Sequence, residues 1–150
     1  MKLSFDPDDE AGFFAARDAL LDRFASAVNG GRRDDDVIFD VTLALDWKWG
    51  YGDADLGRWT RGELEEFLIE WCPRKVSMPA EDARSLPASL TTFLAFLDRE
   101  GLLDPTSDPL PALQSHLRGI GDRAVAAMGD PRQFGMAKSV LSGMGGLGET

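Results

Sequence analysis

At 150 residues, 43% of them hydrophobic, the chain suits one compact domain with a real core. A formal net charge of −10 disfavours nucleic-acid binding, which needs a clustered positive field to neutralise phosphates. No apolar run approaches the roughly 20 residues that span a bilayer, so membrane insertion is excluded as well.

The first expected helix runs from about Pro7 to Val28, with Phe13, Phe14, Leu20, Leu21, Phe24 and Val28 on one stripe. It opens on Asp6-Pro7, the first of several Asp-Pro or Leu-Pro pairs (Leu86-Pro87, Asp108-Pro109, Asp130-Pro131). Proline at a first helical position has its φ already set, and a preceding aspartate can cap free N–H groups. Glycines at 30, 101, 129 and 143 then mark the expected helix ends.

Residues 37–49, VIFDVTLALDWKW, are ambiguous. Apolar residues at every second position suit a strand, while Val37, Val41, Leu45 and Trp49 also form a helical ridge. A strand needs a partner and no other stretch offers one, so a buried helix is favoured over a strand paired between two chains. The next helix starts at a capping box, Thr60 and Glu63, with Trp59 and Leu64 as a hydrophobic staple. Leu64, Phe67, Leu68 and Trp71 line its inner face, and Cys72-Pro73 is expected to end it.

A fourth helix is predicted near Pro87–Glu100. A fifth, near Pro109–Met128, should kink or break at Gly119 and Gly121. A short sixth follows Asp130-Pro131 with Phe134, Ala137, Val140 and Leu141 inward. The expected fold is therefore all-α, a single compact bundle of five to six helices with short connections punctuated by Asp-Pro and Gly. It would occupy residues 1–142, with 143–150 a flexible glycine-rich tail and the possible start of a linker to further sequence.

Few motifs carry chemistry. Residues 143–148, GMGGLG, match G-x-G-x-x-G, but the dinucleotide fingerprint belongs between a strand and a helix, and here a helix precedes it. Asp53 and Asp55 resemble the opening of a calcium loop, yet its fifth, sixth and twelfth places would be Gly57, Arg58 and Leu64. A tight turn with aspartates bonding local backbone is preferred. His116 is the only histidine and reads as a boundary residue of its helix. Cys72 has no metal-ligand spacing and reads as structural. Its solitude fits a reducing cytoplasm, and the acidic start MKLSFDPDDE lacks an export signal. No catalytic residue, metal site or cofactor is assigned.

The densest feature is WKWGYGDADLGRWT, residues 47–60, with three of the four tryptophans and the only tyrosine. Trp47, Trp49, Tyr51, Asp53 and Asp55 are the candidate binding residues, joined by Arg74 and Lys75, whose cations complement a helix C-terminus and could stack on Trp71. The competing reading makes the tryptophans mostly core. On a helix Trp47 and Trp49 diverge by about 200°, so one of them should point away from the core.

Three blocks, LDWKWGYGDADLGRWT, LEEFLIEWCPRKVS and MGDPRQFGMAKSVL, resemble an actinobacterial protein family in which a helical N-terminal domain precedes further sequence. That resemblance spans roughly residues 37–143, implies a helical fold, and implies no activity. The expected function is a non-catalytic protein-interaction or regulatory domain, with another protein as partner and neither nucleic acid nor membrane. Its contact surface would be Trp47, Tyr51, Asp53 and Asp55. The alternatives are a small-ligand or hydrolytic domain with a cleft beside residues 47–59, and an acidic nucleic-acid mimic.

Overall fold

The computed structural model describes residues 1–28, 34–75 and 85–128. Among these the chain is all-α. The helices are α1 (Glu10–Ala27), α2 (Asp35–Gly50), α3 (Arg61–Glu65), a π-helical segment (Glu66–Trp71), α4 (Cys72–Lys75), α5 (Ser85–Arg99) and α6 (Leu110–Met128). The expected sixth helix after Asp130, the tail, and the glycine ends at 30, 129 and 143 lie outside the described residues.

Aspartates start the first two helices. Asp9, rather than Asp6-Pro7, caps α1 by accepting from the Gly12 N–H at 3.0 Å. Asp34 caps α2 through the N–H groups of Asp36 and Val37. Each carboxylate satisfies donors that a helix leaves unpaired in its first turn. Residues 37–49 are helical, and the strand alternation is explained by packing on two sides. Helix α2 lies between α1 and α5, with the π segment against its end. Its buried set (Ile38, Asp40, Val41, Ala44, Leu45, Trp47 and Lys48) therefore exceeds one narrow stripe.

The helix beginning at Thr60 does not end at Cys72-Pro73. It widens instead into the π segment, in which the Cys72 N–H reaches back to the Phe67 carbonyl, and then resumes as α4. Proline has no N–H to donate and its ring crowds the carbonyl four residues back, so a widened turn ahead of Pro73 lets the helical path continue. Likewise α6 runs unbroken past Gly119 and Gly121, contrary to the expected break. Helix α5 begins two residues before Pro87 and closes at Gly101, whose φ of +71° is the left-handed cap the sequence called for.

Aromatic rings tie the layers together. Phe24 of α1 meets Phe93 and Phe96 of α5 at 5.3 Å, and Trp59 meets Phe93 edge-on at 6.3 Å. The loop of residues 51–60 runs between the N-terminal segment and residues 102–108. The N-terminal segment clasps it through Leu56 N–H to Leu3 carbonyl (2.8 Å) and Phe5 N–H to Ala54 carbonyl (3.2 Å). On its other side Asp104 and Asp108 donate their N–H groups to the carbonyls of Gly57 and Trp59. Approach is so close at Gly57 that a Cβ would stand 2.6 Å from the Leu102 carbonyl oxygen. Only glycine fits there.

Candidate functional site

The loop is organised around a side chain that the sequence reading passed over. Lys48, in the last turn of α2, is 0% exposed. Its ammonium donates to Glu63 Oε2 at 2.7 Å and to the Arg58 carbonyl, and pairs with Asp53 Oδ1 at 2.8 Å. Two hydrogen bonds and a second ion pair thus surround the ammonium. The Trp59 ring adds a cation–π contact, 4.7 Å from Nζ to its centroid. The Lys48 carbonyl in turn accepts from the Ala54 N–H at 3.0 Å.

Arg58 completes a neutral quartet. It lies 3.3 Å from Asp53 Oδ2 and 3.6 Å from Glu63 Oε1, so each carboxylate serves two cations. This explains why the capping box is only half formed. Thr60 Oγ1 accepts from the Glu63 N–H as expected, but the Glu63 carboxylate is drawn to Lys48. Burying an ammonium is costly unless it is paired and fully hydrogen-bonded, and all of its partners come from the next fifteen residues. The segment is a folding clasp.

The aspartate turn is as anticipated. Asp53 Oδ1 accepts from the Asp55 N–H at 3.1 Å and Asp55 Oδ1 from the Gly57 N–H at 2.9 Å. Asp55 is buried, however, and burial raises its pKa above the usual carboxylate value, partly opposed by the Gly57 N–H. It therefore does not belong to an exposed acidic surface. Asp53 remains exposed but is engaged by Lys48 and Arg58.

The aromatic candidates divide. Trp47, expected at the surface, is 1% exposed and packs on Phe67 at 5.6 Å. Trp49 is half-buried against Phe13 (4.9 Å) and Phe14 (6.0 Å). The two rings do diverge around α2, but α1 waits on one side and the π segment on the other, so neither is left in solvent. Tyr51 is different: at 58% exposed, it leans on half-buried Trp71 at 5.6 Å. Trp71 stacks on Phe67 (5.7 Å, 21°), so a ladder of rings descends from Tyr51 at the surface to Trp47 in the core. The Trp71 indole N–H is buried without a hydrogen-bond partner.

Arg74 is exposed on α4 and, among the described residues, makes no hydrogen bond or ion pair with residues 47–63. The side chain of Lys75 lies outside the described residues. Cys72 is fully buried and His116 half-buried, as their structural readings anticipated.

A second buried ionisable group sits two turns earlier on α2. Asp40 Oδ2 accepts from the hydroxyls of Ser85 (2.8 Å) and Ser89 (2.7 Å) at the start of α5. Burial raises its pKa, the two hydroxyls pulling it back only in part, with the negative charges of Asp36 and Asp34 adding to the rise. This is a strap between helices. Among the described residues, one surface cavity lies between α3 and α6 and another is bordered by α1, α2 and α5, and residues 47–59 line neither of these.

Comparison with protein-family models, with curated proteins and with solved structures finds no match. The actinobacterial resemblance thus gains no support from them, and its third block begins at the last described residue. Among the described residues no helix is long and apolar enough to cross a membrane.

Proposed function

We propose that this chain is a non-catalytic interaction domain whose contact point is Tyr51 on Trp71, rather than the whole aromatic-acidic segment. One observation carries the reading: of the aromatic residues in 47–60, Tyr51 alone is mostly exposed, on a rigid ladder reaching the core. Rigid, amphipathic aromatic side chains pay little entropy on binding and recur as interface anchors. The net charge of −10 favours a basic protein as partner. We place the domain in the cytoplasm, on the reducing environment that the lone, buried Cys72 fits.

The carboxylates nearest the aromatics support this over hydrolysis. Asp53 and Glu63 are held by Lys48 and Arg58, and Asp55 by a backbone N–H, which leaves each occupied in the fold. The test is photo-crosslinking from position 51 in the intact chain, in its native cell extract. A discrete basic protein captured from position 51, and lost when Trp71→Ala removes the support, is the expected result. Equal capture from position 18, on the exposed face of α1, would contradict it.

A further inference from the structure

A second surface carries chemistry unrelated to Tyr51. Between the first residue of α3 and one face of α6 lies an open groove of about 380 Å³. Its wall presents Arg61, Ser115, His116 and Arg123, with Gly119 between the last two. The α6 residues recur at intervals of three and four, which aligns them along a single ridge. The chain has 26 acidic and 16 basic residues, yet this wall contains two arginines, a histidine and no carboxylate.

The donors are held in place from outside the lining. Glu65 engages both terminal nitrogens of Arg123, and Asp108 accepts from Arg61 Nε at 3.2 Å and from the Arg61 N–H at 2.8 Å. Both arginine side chains remain more than half exposed. His116 Nε2 stands 3.4 Å from Glu65 Oε1, is sheltered from solvent, and has no hydrogen bond. At Gly119 a Cβ would meet nothing within 4 Å, so space is open above the ridge where a ligand would rest.

We infer that this groove binds the phosphoryl group of a small phosphomonoester. Asp108 takes Arg61 Nε and Glu65 one edge of Arg123, so the remaining guanidinium N–H groups, arriving from two helices, and the Ser115 hydroxyl are the donors that suit three acceptor oxygens of a tetrahedral oxyanion. A planar carboxylate offers only two acceptor oxygens and would leave one of these three donors unused. The volume admits a phosphate with a short polar body, within the size range of small-ligand sites.

The experiment is a titration of the isotopically labelled full chain by two-dimensional NMR at constant ionic strength, with inorganic phosphate, then glycerol phosphate, then acetate. Saturating shifts centred on the amides of Ser115, His116, Gly119 and Arg123 are expected for the first two probes, and at least about tenfold weaker binding for acetate. Arg123→Gln should weaken phosphate binding about tenfold, the loss of one charge-assisted hydrogen bond. Ser115→Asp, which puts a carboxylate in the groove without removing a packed side chain, should abolish it and serves if Arg123→Gln fails to fold. Shifts that never saturate, that centre elsewhere, or that are as strong with acetate overturn the assignment.

Discussion

Helix α2 buries two charged residues eight positions apart, and it satisfies them in opposite ways. Lys48 receives two carboxylates, a carbonyl and an aromatic face, all from within its own chain neighbourhood. Among the described residues Asp40 receives two neutral hydroxyls, from residues 45 and 49 positions away. A cation met by opposite charge makes local structure depend on it. An anion met by neutral donors stays under desolvation and favours its protonated form. One is a clasp and the other a strap.

Removing the clasp should have the largest effect. Lys48→Met leaves Asp53 and Glu63 to share Arg58 alone, and we expect a loss of about 3 kcal/mol, the lower end for a broken buried pair because both carboxylates are partly solvated. Urea denaturation measures it, and a loss below the error of the method would refute the clasp. Gly57→Ala comes next, at about 1–3 kcal/mol, because its Cβ would collide with a backbone oxygen that the neighbouring loop holds in place.

Asp40 sharpens the contrast through pH. Its folded pKa lies above the ordinary value of 3.8, so between the two values the folded chain holds more proton than the unfolded one. Its contribution to stability is present in acid and is lost as pH rises from 3.8 through the folded value. Asp104 and Asp108, lowered by hydrogen bonds from Thr106 and Arg61, act in the opposite sense, lending stability that disappears as pH falls. Asp40→Asn isolates the first effect. Stability at pH 7 should change by less than about 1 kcal/mol, and the stability of wild type relative to the variant should be highest in acid and fall steadily as pH rises from 3.8 through the folded value. A pH-independent difference would show that burial does not control this carboxyl. Tyr51→Ala is the smallest: within about 0.5 kcal/mol of wild type in thermal unfolding, since the side chain is mostly in solvent.

Much of the fold was legible because helix signals are local. Thr60 capping Glu63, Gly101 closing α5 and the Asp53–Asp55 turn each depend on residues within four positions. The errors came from longer reach. Cys72-Pro73 reads as a stop unless a π turn precedes it, and Gly119 and Gly121 read as a break until α6 is seen supported by α3 and α5.

Within the candidate segment the aromatic content does not reveal which rings are buried, and Trp47 and Trp59 are core. The better signal was Lys48 itself. It follows Val41, Ala44 and Leu45 at helical spacing, on a face otherwise buried, and a charge there demands partners. Asp53, Arg58 and Glu63, all within fifteen residues, were available to supply them.

Amine acylation followed by peptide mass spectrometry tests the clasp most directly. In the native chain the exposed Lys2 should be modified readily while Lys48 stays protected, and Lys48 should become reactive only as the protein unfolds. Modification of Lys48 at the rate of Lys2, with the helical circular dichroism intact, would show its ammonium free in solvent and contradict the account.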